Sequence, residues 1–137
     1  MKVTMTEAIC KEGMALLEDK ARIFVAHDAH PHNYLDQLKD TDMFIVRVAD
    51  KGAVDKETME SSPALKVIGR PGIGYDSVDV ETATRLGIPV VVTPGANNRS
   101  VAEHAVTLML ALSKNMIEAD AEQRKGNWKI RDALSLI

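Results

Sequence analysis

The sequence predicts an α/β protein built on a parallel, doubly wound sheet. Three observations carry that expectation. Short β-branched runs alternate with amphipathic stretches at a nearly regular interval. Each run is mostly apolar on both faces, as parallel strands lying between helices must be. The segment Leu86-Gly87-Ile88 has the form of a helix closing on a glycine before the next strand begins.

In chain order, the strands are expected at Lys2–Thr6, Arg22–Ala26, Met43–Val48, Leu65–Gly69 and Pro89–Val92. The helices between them fall at Glu12–Asp19, Pro31–Lys39, Asp55–Ser61 and Asp79–Leu86. Five strands suit a flavodoxin-like sheet, ordered 2-1-3-4-5 with helices on both faces, better than a six-strand nucleotide fold.

The chain then changes character. Ser100-Val101-Ala102-Glu103 has the spacing of a capping box, with Ser100 accepting from a backbone N–H and Glu103 reaching back. It should open one long helix from Val101 to about Ala121, with a first half, VAEHAVTLMLAL, that is apolar nearly all round. A helix of that kind needs burial on more than one side. Residues 1–99 are therefore expected to form one domain, and residues 100–137 an interdomain helix and its continuation. Trp128 is expected to anchor the end of that helix.

Composition narrows the function. With 137 residues and 45% apolar content the chain can bury a core, and a net charge of -3 leaves no basic footprint for nucleic acid. No run approaches the roughly 20 apolar residues of a membrane span, and the start lacks the apolar core of a signal peptide. One cysteine, Cys10, excludes an internal disulfide and reads as a small buried residue near the first strand; the compartment reads as reducing cytoplasm. Of the four histidines, His27, His30 and His32 cluster in HDAHPH. Pro31 interrupts them and no second ligand group has matching spacing, so no metal site is expected. His104 reads as a packed, hydrogen-bonded side chain.

The chemistry-bearing stretch is Leu65–Asp79, LKVIGRPGIGYDSVD, in which a strand runs into a loop with glycines at 69, 72 and 74. Such loops at the carboxyl ends of parallel strands let backbone N–H groups approach an anion. It is not a dinucleotide fingerprint, because Gly72-Ile73-Gly74 is followed by Tyr75-Asp76-Ser77 where G-x-G-x-x-G needs a third glycine. A carboxylate suits it better; the plain alternative is glycines that serve turn geometry alone. Arg47 ends the third strand and can hold a carboxylate bidentately, or else stand solvated or ion-paired. Asn97, in the loop after the fifth strand, offers a donor and an acceptor, or caps a turn. Arg47, the Gly72–Gly74 loop and Asn97 all follow strands three to five and should share one crevice. Asp79 reads as a helix cap and Asp76 as a turn stabiliser rather than as acid–base groups.

At these residues the sequence resembles the D-isomer-specific 2-hydroxyacid dehydrogenase family, and is most similar to phosphoglycerate dehydrogenases. The matching segments run in family order: IVR at Ile45–Arg47, LKVIGRPGIGYDSVD, ATRLGIPV, TPGANNRSVAEHAVTLMLAL and ADAEQRKGNWK. The resemblance implies hydride exchange between NAD and D-2-hydroxy or 2-keto acids. It implies that backbone N–H groups of Gly72, Ile73 and Gly74 hold the substrate carboxylate, with Arg47 and Asn97 at the substrate and Val101 lining the nicotinamide side. Two departures are Val48, where the family usually has serine, and Val92, where it usually has asparagine. The resemblance further implies that residues 100–137 include the start of a dinucleotide-binding domain, whose fingerprint would begin a short distance beyond Ile137 and whose catalytic arginine, glutamate and histidine would lie later still. No catalytic residue is expected in this chain, which should be inactive alone and should self-associate through its apolar helix. The competing reading is a stand-alone module that binds a small acid or regulates. A phosphate-receiver version of it is disfavoured, because strand one ends in Thr6-Glu7 and strand three in Arg47 rather than in clustered acids.

Overall fold

The computed structural model describes residues 1–47 and 49–132. Five strands form one parallel sheet: β1 (Lys2–Met5), β2 (Arg22–Val25), β3 (Met43–Ile45), β4 (Val67–Arg70) and β5 (Val90–Val92). Their spatial order is β2-β1-β3-β4-β5, the expected one. The third strand stops at Ile45, and the last residue expected in it, Val48, lies outside the described residues. Other strand ends differ from expectation by one or two residues, the usual play at element boundaries.

The crossovers decide where the helices go. The chain steps from β1 to β2 in one direction across the sheet, then from β2 through β5 in the other. Right-handed crossovers therefore put α1 (Lys11–Glu18) on one face, and α2 (Leu35–Leu38), α3 (Lys56–Glu60) and α4 (Val80–Arg85) on the opposite one. The main core forms on the three-helix face, where Phe44, Val46 and Ile68 meet Leu38, Met59 and Ala83. The other face is covered less evenly. Val3 and Met5 on β1 are fully buried, yet Met43, Ile45, Val67, Gly69 and Val91 line an open apolar groove of about 290 Å³.

Local chemistry explains the helix limits. Asp55 and Asp79 cap α3 and α4, each accepting from the backbone N–H three residues on, at 2.9 and 3.0 Å. α4 closes as expected: Gly87 takes φ +71°, with Gly87 N–H donating to Thr84 O and Ile88 N–H to Ala83 O. The helix expected over Pro31–Lys39 is instead a 3-10 turn, Pro31–Tyr34, running into the short α2. Tyr34 leaves helical geometry (φ -142°) where its ring packs 6.5 Å from those of Phe24 and Phe44. Cys10, expected to be buried, is exposed at the start of α1, because the chain has already left the sheet.

The chain divides into two compact units, Met1–Gly95 and Ala96–Ile137, where a boundary after residue 99 was expected. In the second, α5 spans Asn98–Ser113 and α6 spans Met116–Arg124. The single helix expected to run to about Ala121 is thus two. Asn115 takes left-handed geometry (φ 46°, ψ 39°), which asparagine tolerates better than most residues, and the backbone ladder stops there. The capping box is not made. Ser100 lies inside α5, Asn97 is the cap residue without a side-chain bond, and Glu103 instead accepts from Arg99 Nε at 2.7 Å. His104 and Trp128, expected to pack, are both exposed, Trp128 by 70%. Neither α5 nor α6 contains a buried residue.

Candidate functional site

The carboxyl edge of the sheet is laced together by side chains that end its strands. Thr6, just past β1, is fully buried and accepts from Arg47 N–H at 2.9 Å, tying β1 to the end of β3. Arg47 Nη1 reaches back over the same junction, donating to Ala8 O at 2.9 Å and lying 3.4 Å from Glu7 Oε2. Its charge is therefore partly matched already, in a side chain that is half exposed.

At the end of β4 the chain turns at once. Gly72 N–H donates to Arg70 O at 2.8 Å, closing a three-residue turn, and Thr93 N–H donates to Gly72 O at 2.9 Å, pinning the turn to the end of β5. The N–H of Gly72 is thereby used internally. The N–H groups of Ile73 and Gly74 have no acceptor among the described residues, and the Ile73 side chain is 61% exposed. Two adjacent free donors suit the two oxygens of a carboxylate. A Cβ would fit tightly at either glycine: on Gly72 it would sit 3.3 Å from Arg70 Nη1, and on Gly74 3.2 Å from Asp76 Oδ1, so a side chain there would displace one of these two groups slightly. The far side of the loop is fixed by Gly52 N–H on Asp76 O and Val78 N–H on Tyr75 O, both 2.9 Å.

Asp79 is committed to structure. The Thr82 hydroxyl and Thr82 N–H hold its carboxyl below the usual range, as its role in capping α4 requires. His32 sits between Asp55 Oδ2 at 3.2 Å and Glu57 Oε2 at 3.6 Å, and His30 lies 3.4 Å from Asp50. Among the described residues, no group of three or more His, Cys, Asp or Glu side chains is placed to hold a metal ion.

Of the residues singled out by sequence, the structure brings Arg47 and the Gly72–Gly74 loop to one edge, and the link between them is Arg70. Its Nη1 donates to Arg47 O at 3.0 Å and approaches Pro71 O at 3.5 Å. Sequence reasoning passed over Arg70, although it too is an arginine ending an apolar strand, the signal that singled out Arg47. Asn97 and Val101 belong to the second unit; Val101 is 57% exposed on α5. Val48, the first departure from the family pattern, lies outside the described residues.

The sequence model for the catalytic domain of D-isomer specific 2-hydroxyacid dehydrogenases matches residues 3–129. The chain belongs to this family. It is 38% identical over 128 residues to D-3-phosphoglycerate dehydrogenase of Methanocaldococcus jannaschii, covering 93% of the chain and 24% of that protein. It is equally 38% identical over 131 residues to glyoxylate reductase of Thermococcus litoralis, covering 93% of the chain and 39% of that protein. Among solved structures, the TT0316 protein of Thermus thermophilus superposes with a TM-score of 0.83 at 29% identity, over 93% of this chain and 42% of that one. The chain thus spans between about a quarter and two-fifths of the length of these three proteins.

Proposed function

We propose that this chain is the substrate-binding part of an NAD-dependent oxidoreductase acting on D-2-hydroxy or 2-keto acids. The observation that carries this reading is the pair of free N–H groups at Ile73 and Gly74, on a glycine loop pinned at the carboxyl edge of a parallel sheet. They hold the substrate carboxylate, and the ion-paired Arg47 adds positive potential nearby. The roles of Asn97 at the substrate and Val101 at the nicotinamide rest on the family resemblance alone.

NAD would supply the hydride. The residues present do not form a site for it: the chain contains no G-x-G-x-x-G, and its one approach to that pattern ends in Ser77. Hydride transfer is therefore assigned to no residue of this chain, and the chain alone is expected to be inactive. Two measurements on the purified chain test this. Added glyoxylate should shift the backbone amide resonances of Ile73 and Gly74, while NADH oxidation stays at background. Saturating acid that leaves both amides unmoved would remove the carboxylate assignment; turnover would remove the inactivity.

We also infer self-association through α5. Val106, Met109, Leu110 and Leu112 are 55%, 68%, 56% and 76% exposed on a helix that buries nothing. Such a continuous apolar surface favours pairing of helices between copies, or poor solubility. A dimer is expected by light scattering at about 100 µM, a concentration above ordinary weak-dimer constants. Leu112→Glu should return it to monomer, and a soluble wild-type monomer at that concentration would contradict the inference.

A further inference from the structure

One face of the sheet keeps an open strip. Parallel sheets are covered by helices on both faces. Among the described residues of the first unit, α1 is the one α-helix on the face of Val3 and Met5, because the later crossovers return to the opposite face. The uncovered strip runs over β3, β4 and β5. Met43 stands beside Val67, and Ile45, Gly69 and Val91 form one row across the three strands. These five residues line the groove of about 290 Å³, with Arg70 and Thr93 also on its wall. Gly69 brings no side chain to the middle of the row, so the surface dips there, and Val91 is half exposed. Strands about 4.8 Å apart make the strip roughly 10 Å wide, the diameter of a single helix.

The second unit carries a helix of matching chemistry. On α5, Ala102, Ala105, Val106, Met109 and Leu112 fall on one stripe at helical spacing, opposite Ser100, Glu103 and Thr107. Val106, Met109 and Leu112 are each more than half exposed. α6 lies along the adjoining side, where Leu108 and Ala111 face Ile117 and Ala121. Sixteen residues make α5 about 24 Å long, enough to cross the whole strip.

Resting on the reading that α5 drives self-association, we propose that its docking surface is this groove on a second copy of the chain. α5 of each copy lies across β3–β5 of the other, in a reciprocal twofold exchange. Pairing α5 with α5 would cover two helices and leave both grooves bare, whereas the exchange covers all four apolar surfaces. Each contact buries roughly a few hundred Å² on either side, so two of them together reach the ~1,200 Å² at which specific interfaces begin.

A mixed sample of two versions of the chain tests this, both carrying Cys10→Ser to leave no other thiol. One is isotope-labelled; the other carries Thr107→Cys with a nitroxide spin label, off the docking stripe. The nitroxide should broaden the Ile45, Gly69 and Val91 amides of the labelled copy, a signal that can arise only between chains. Met109→Glu on the helix and Val91→Glu in the groove should each weaken the dimer at least about tenfold by light scattering, since either buries a charge in an apolar contact. Thr107→Glu should change it less than about twofold. Broadening confined to the α5 amides, with Val91→Glu still dimeric, would mean that helix pairs with helix; the groove assignment is then overturned while self-association stands. A wild-type chain that stays monomeric at about 100 µM would instead remove the self-association reading, and this proposal with it.

Discussion

The two units of this chain solve the same problem, apolar surface in water, in opposite ways. In the first, helices of four to eight residues suffice because each covers part of a sheet, and side chains such as Phe44, Val46 and Ile68 are at or near zero exposure. In the second, α5 is 16 residues long and rich in leucine, yet nothing on it is buried. Length and hydrophobicity do not by themselves make a core. A sheet supplies a continuous surface for short helices to cover, whereas a helix pair alone leaves most of its circumference outside.

The sharpest way to break this contrast is to delete equivalent bulk in each unit. Phe44→Ala should cost about 3–5 kcal/mol in urea unfolding, because it opens a cavity at the centre of the main core. Leu112→Ala, measured at concentrations too low for association, should cost less than about 0.5 kcal/mol. Comparable losses would mean that α5 is packed and that the contrast is false.

A smaller effect separates the helix starts. Asp55→Ala removes a made cap, with Thr58 N–H at 2.9 Å, and should cost about 1 kcal/mol. Asn97→Ala removes a side chain that caps nothing and should leave stability unchanged. Acidification should show the same asymmetry. Burial pushes the Asp55 carboxyl up, but the Thr58 hydrogen bonds and His32 more than offset this and leave it lowered, while Thr82 lowers Asp79. A carboxyl lowered in the folded state stabilises fully above its unfolded value of 3.8 and loses that contribution as the pH falls below it. Stability of the first unit should therefore decline below about pH 4, and Asp55→Asn should flatten the decline, read by urea unfolding at stepped pH. The smallest effect is expected at the break between α5 and α6. Asn115→Gly relieves a left-handed non-glycine residue and should raise helix stability by a few tenths of a kcal/mol, measured by thermal circular dichroism.

How far the site was legible depends on the kind of signal. The strands, their order and the glycine turn all leave periodic or compositional marks, since a parallel strand must be apolar on both faces and a tight turn needs room for its backbone. The α4 caps, Asp79 and Gly87, were legible for the same local reason. The Ser100–Glu103 box had the right spacing and no function, because the helix had already begun at Asn98 and Arg99 offered Glu103 a charged partner. Arg70 carried the same mark as Arg47. Which of the two guanidiniums is matched by Glu7 and which is left with carbonyls depends on contacts across strands, and spacing along the chain does not encode those.

By itself, then, the sequence determined the parallel five-stranded sheet, its glycine turn and the family, and it supplied the proposal of a ligand at the carboxyl edge with the glycine loop as donor. Each follows from local periodicity, from turn chemistry, or from motifs contiguous in the chain. Only the tertiary structure decided that Gly72 uses its N–H internally while, among the described residues, the Ile73 and Gly74 N–H groups find no acceptor and Arg70 no carboxylate, and that one sheet face keeps an open apolar groove. Those outcomes depend on what arrives from distant segments: the Thr93 amide on Gly72, three crossovers returning to the same face, and Glu7 turning toward Arg47. Hydrogen-bond saturation and charge balance are properties of assembled neighbours, so they become definite only when the strands are side by side.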